Sequence, residues 1–165
     1  MIDICLYLSA DKDDNLGKRI AKFRGVSPTL TVNHTDFTPI CARPLLLSIT
    51  TKKPGVNLDV AQLQMGSWHA AQWAFLRWAV MRKLKAKGLS ILSTLGFIPG
   101  IIIQGHRWLL VLSTYDNGKT MLWTDYQFGT TQTHLGIYAV VAGVRRLTSW
   151  ARDVYINWFQ ENVLD

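Results

Sequence analysis

The sequence predicts an α/β domain in which a central sheet is flanked by helices. Three observations carry that expectation. Apolar runs of strand length alternate with runs at helical spacing, and the order along the chain is strand, helix, strand, helix, three strands, helices. The composition supports a real core: the 165 residues are 48% apolar and 18% charged, with seven Trp, enough apolar surface to offset ordering entropy. The length is that of one domain spanning 1–165.

Asp3 to Ser9 reads as a short buried strand, because Ile4, Cys5, Leu6, Tyr7 and Leu8 are consecutive and the acidic turn Asp11 to Asn15 follows. Leu16, Ile20 and Phe23 then recur at helical spacing, with Asn15 as cap and Gly25 and Pro28 as the stop. Val32 to Thr38 is turn-rich, and Pro39 and Pro44 frame a loop before a second apolar strand, Leu45 to Thr51, which Lys52, Lys53, Pro54 and Gly55 end. From Leu58 to Arg82 the pattern is helical, and Ala61, Gln64, Trp68, Ala71 and Phe75 are expected on the core side. Phe97 to Gln104, Trp108 to Thr114 and Lys119 to Tyr126 read as an antiparallel meander, turning at Gly105-His106 and Asp116-Asn117-Gly118. Helices close the chain from Thr131 to Trp150 and beyond, with Leu147, Trp150, Ala151, Val154 and Trp158 sharing a face.

Several function classes start low. The uncharged stretch Gly88 to His106 approaches membrane-spanning length, but Gly96, Pro99, Gly100 and Gln104 interrupt it, so no membrane partner is expected. Early Asp residues argue against a signal peptide, and an intracellular protein, cytoplasmic or nuclear, is the expectation. Cys5 and Cys41 lack metal or redox spacing and read as reduced, buried thiols. There is no phosphate-binding glycine loop, HExxH or GxSxG. The net charge of +7 first suggests nucleic acid, yet the surplus is local: Arg77, Arg82, Lys83, Lys85, Lys87 and Arg107 occur with no acid between Asp59 and Asp116. Such a stripe suits phosphate contacts, although cations are favoured at a helix C-terminus in any case.

A strand opening with Asp3, a second ending in Ile49-Thr50-Thr51-Lys52 and a helix bearing Gln64 would bring polar side chains to one sheet edge. The runs Val32-Asn33-His34-Thr35-Asp36-Phe37, Leu47 to Lys52, Gln64 to Trp73, Pro99 to His106, Leu122-Trp123-Thr124 and Trp150 to Tyr155 resemble a fungal family of PD-(D/E)XK nuclease-like proteins over nearly the whole chain. The resemblance implies a restriction-endonuclease-like fold with a central mixed sheet flanked by helices. It also implies two carboxylates holding Mg²⁺ and a lysine that positions the attacking water. Asp3 matches the first acid and Lys52 the lysine, but the second acid, two positions before the lysine, is Thr50. A hydroxyl does not replace a hard anionic ligand, so the metal site is expected to be degenerate. Asp36 is the substitute within reach of the neighbouring loop. The superfamily core also begins with a helix ahead of the first strand, and this sequence starts almost at the strand; a partner copy in a homo-oligomer is one candidate to supply it.

Each site residue has a plainer alternative. Lys52 at a strand end is most simply a solvated lysine, Asp3 a surface cap and His34 a turn histidine, while His69, His106 and His134 read as structural. Gln64 needs partners if buried. Trp68 and Trp73 point about 140° apart on a helix, so one can be core while the other meets a cleft. Two function classes follow. In the first, Asp3, Lys52, Gln64, His34 and Asp36 serve as proton donors, acceptors and orienting groups in a pocket with Thr50 and Trp68, for metal-independent acid–base chemistry on a small organic molecule or its binding, with no cofactor. In the second, the chain is a DNA-binding remnant or a divergent endonuclease using Asp36 and Mg²⁺, with Arg77, Arg82 and Lys83 on the phosphates. The loss of the acid at Thr50 favours the first.

Overall fold

The computed structural model describes residues 2–9, 14–85 and 88–164; Asp11 and Asp13 of the acidic turn and Lys87 of the basic run lie outside the described residues. In chain order the elements are β1 (Ile4–Tyr7), α1 (Asp14–Arg24), a 3₁₀ turn (Thr38–Ile40), β2 (Leu45–Lys52), α2 (Leu58–Leu84), α3 (Gly88–Thr94), β3 (Ile98–Gln104), β4 (Arg107–Asp116), β5 (Lys119–Thr130) and α4 (His134–Trp150). A π-helical turn (Ala151–Tyr155), α5 (Ile156–Phe159) and a second π-helical turn (Gln160–Leu164) follow.

The strands form one five-stranded mixed sheet in the order β1-β2-β3-β4-β5. β2 and β3 are parallel because α2 carries the chain back between them, while the other pairs are antiparallel. Asn117 and Gly118, at φ 48° and 80°, give the β4–β5 hairpin the left-handed turn that matches strand twist. Register fixes which residues share a face. Ile4 opposes Ile49 and Leu6 opposes Leu47, so these four share a face; Leu6, Leu47 and Ile49 pack there with Ile101 and with Val144 and Leu147 of α4, while Ile4 is exposed. Ala61 and Met65 of α2 cover the other face over Ile102, Leu109 and Val111. A third cluster joins Leu16, Ile20 and Phe23 of α1 to Trp73, Leu76 and Val80 and to Trp158 and Phe159. α4 approaches β5 closely at Gly129, where an added Cβ would lie 2.9 Å from the Val140 amide nitrogen.

The structure moves several expected boundaries. β1 is shorter than Asp3 to Ser9, Asn15 lies within α1 rather than capping it, α3 fills a stretch left unassigned, and β5 runs on to Thr130. Cys5 and Cys41 are free but only half-buried. In the closing helix the π turns change which side faces in: each inserts a residue into the helical repeat. Tyr155, Trp158 and Phe159 are therefore buried, while Val154, expected on the core side, is 44% exposed. Among the described residues no helix is long and apolar enough to cross a membrane.

Candidate functional site

Asp3 precedes β1, and its amide donates to the Ile49 carbonyl at 3.0 Å, which continues the pairing with β2 beyond Ile4. That places its carboxylate beside the end of β2. Oδ2 accepts from the Thr51 amide at 2.6 Å, the Thr50 hydroxyl at 3.1 Å and the Thr51 hydroxyl at 3.2 Å. The Thr51 amide bond is the main reason the Asp3 pKa is lowered; desolvation opposes it, and the two hydroxyls and then the Lys52 charge add smaller contributions in the lowering direction. Thr50 is fully buried.

On the same side of the sheet a cleft of about 1240 Å³ opens between β1, the loop 29–40 and α2. Asp3, Cys5 and Tyr7 contribute one wall, His34, Asp36 and Phe37 a second, and Leu63, Gln64 and Trp68 a third. Apolar atoms make up most of its surface. The second wall is held by Asn33, whose Nδ2 donates to the carbonyls of Ile40 (2.6 Å) and Arg43 (2.9 Å) while its Oδ1 accepts from the Leu45 amide (2.9 Å). Trp68 is fixed by an Nε1 bond to Ser48 Oγ at 2.8 Å, and His34 meets its ring edge-to-face at 4.3 Å. Burial pushes the His34 pKa down to about 4, so the imidazole is neutral at pH 7.

The geometry gathers Asp3, His34, Asp36, Gln64 and Trp68 and leaves other expected residues outside. Lys52 does not line the cleft, although its charge reaches Asp3. Arg77 and Arg82 line a separate shallow depression of about 480 Å³ near the C-terminal end of α2. Arg82 lies over the rings of Phe23 (5.6 Å) and Trp78 (5.8 Å), and Lys83 Nζ donates to the Glu161 carbonyl at 2.8 Å. Arg77 lies about 9 Å of helix beyond Ala71 at the lip of the cleft; it lines the separate depression, and no Lys or Arg among the described residues lines the cleft itself.

The core face of α2 is also set differently from the expectation. Ala61, Met65, His69, Trp73, Leu76 and Val80 are buried, whereas Gln64, Trp68 and Phe75 are half-buried and Ala71 is exposed. The expected division between the two tryptophans holds: Trp73 is core, bonded through Nε1 to Ser113 Oγ at 2.9 Å, and Trp68 meets the cleft. Four buried polar atoms on α2 and the neighbouring loop, His34 Nε2, Gln64 Oε1 and both ring nitrogens of His69, have no hydrogen-bond partner among the described residues. Burial, with a smaller contribution from His34, lowers the His69 pKa to about 3. Sequence reasoning missed Tyr7 and Phe37 as cleft walls and Asn33 as the anchor. The alternation Asp3, Cys5, Tyr7 along one strand face was the available signal for the first.

A family model for the PD-(D/E)XK nuclease superfamily matches residues 1–156. The chain belongs to that superfamily. No curated protein and no solved structure matches it. In this PD-(D/E)XK chain the Mg²⁺ that the superfamily implies does not fit the residues present. The residue two positions before Lys52 is Thr50, and its hydroxyl donates to Asp3. Among the described residues no three of His, Cys, Asp and Glu come together as a group that could hold a metal ion. Asp36 lines the cleft with Asp3 without restoring such a group.

Proposed function

We propose that this is a nuclease-fold protein with a degenerate metal site whose cleft binds a small organic molecule. The observation that carries the reading is the Thr50 hydroxyl bonded to Asp3 at 3.1 Å beside a cleft of about 1240 Å³, a volume suited to an organic ligand. Fold alone does not assign function, so the weight rests on these side chains. Binding is favoured over acid–base turnover. A base with a pKa near 4 drives proton abstraction weakly at neutral pH, and Lys52 lies outside the cleft.

The nucleic-acid reading asks for a basic groove running to the site, and among the described residues no Lys or Arg lines the cleft. The test is titration with Nile red, a neutral apolar dye, on the wild type and on Ala71→Trp, which fills the cleft from its exposed lip. Saturable binding lost in the variant supports the pocket. Dye binding unchanged by the variant, or none together with salt-sensitive binding of duplex DNA, overturns it.

A further inference from the structure

The cleft wall has a composition that the degenerate metal site does not account for. Three aromatic side chains, Tyr7, Phe37 and Trp68, border it together with two carboxylates, Asp3 and Asp36, and among the described residues no Lys or Arg lines it. In a chain of net charge +7 this is a local reversal of sign. Tyr7 is 41% and Phe37 59% exposed, so both rings are open to a ligand in the cleft. Trp68 is held in place by its bond to Ser48.

Aromatic faces attract cations through their quadrupoles, and the gain rises when the cation is already weakly hydrated. Tyr7 shows this within the protein, since the Arg43 guanidinium lies 4.9 Å from its ring centroid and donates to its hydroxyl at 3.1 Å. Two cations act on residues of the wall, Arg43 on Tyr7 and Lys52 on Asp3. Resting on the small-molecule reading above, we propose that the cleft takes an organic ammonium ion, its alkylated head between the aromatic side chains and its charge toward Asp3 and Asp36. The lowered pKa of His34 is consistent with this, because a neutral imidazole beside Trp68 does not repel the cation.

The experiment compares choline, its neutral carbon isostere 3,3-dimethylbutan-1-ol and the anion 3,3-dimethylbutyrate by NMR chemical-shift titration of the full chain. Choline is expected to bind at least roughly tenfold more tightly than the alcohol, with the anion weakest. Phe37→Ala and Asp36→Asn, both at exposed positions, should each reduce the preference for choline while leaving the circular dichroism spectrum unchanged. Equal or tighter binding of the alcohol, no choline binding at tens of millimolar, or a preference untouched by both substitutions overturns the proposal. Retained Nile red binding in any of those cases shows that only the ligand class has failed; its loss shows that the pocket reading has failed with it.

Discussion

Asn33 spans the loop that walls the cleft and the start of β2 with three hydrogen bonds, all from a buried amide. Asn33→Ala leaves two carbonyls and one amide without that partner, so an expected loss of about 2–3 kcal/mol in urea unfolding follows, with the cleft wall loosened first. The histidines set a pH dependence. His34 and His69 have folded-state pKa values lowered to about 4 and about 3, against 6.5 for an unperturbed imidazole. Well above pH 6.5 neither state is protonated and they contribute nothing to the slope. As pH falls below 6.5 the unfolded chain takes up protons that the folded chain refuses, so stability drops until the folded pKa values are reached. Chemical denaturation at pH 7 and pH 4.5 should show a loss on the order of 2 kcal/mol or more from this source. His69→Leu, which also removes unpaired buried polar atoms, should make that loss smaller. A loss unchanged by the substitution would mean that His69 is not the group responsible.

α2 presents three surfaces, and their separation explains why its register was hard to read. Large apolar residues recur on several sides of this helix, so helical periodicity alone could not say which stripe meets the sheet. Gly100 decides it. A Cβ there would lie 2.8 Å from Met65 Sδ and 3.0 Å from His69 Nε2, so Met65 and His69 meet the strand and the stripe with Gln64 and Trp68 turns toward the cleft. Gly100→Val should therefore push α2 from β3, costing about 1–3 kcal/mol and lowering the melting temperature; an unchanged melting temperature would refute the close approach. The strands, the meander and the long helix were legible because strand pairing and turn chemistry leave local signals at Asn117-Gly118 and in the Ile-rich run of β3. Asp3 and Lys52 were singled out through the family resemblance and His34, Asp36, Gln64 and Trp68 from their loop and helix positions; the structure brings all of these except Lys52 to one cleft. Tyr7 and Phe37 were not singled out, because cleft walls form from side chains far apart in sequence. The π turns after Trp150 escaped for another reason: nothing in Ala151 to Tyr155 breaks helical spacing, and tertiary packing of Tyr155 and Phe159 selects the wider turn.

At the scale of the molecule, the charge that first suggests nucleic acid is divided from the cleft. Arg82 and Lys83 make contacts within the fold at the far end of α2, and the cleft itself is bordered by Asp3 and Asp36. The chain belongs to the PD-(D/E)XK superfamily, and the Thr50 hydroxyl, two positions before Lys52, is bonded to Asp3. The most direct measurement is a plasmid-cleavage assay of the wild-type chain with Mg²⁺ at low salt, run beside Lys52→Ala and accompanied by calorimetric titration of Mg²⁺. The account predicts no cleavage above the background shared by both proteins and no saturable Mg²⁺ binding in the millimolar range. Mg²⁺-dependent cleavage by the wild type that Lys52→Ala abolishes would contradict it.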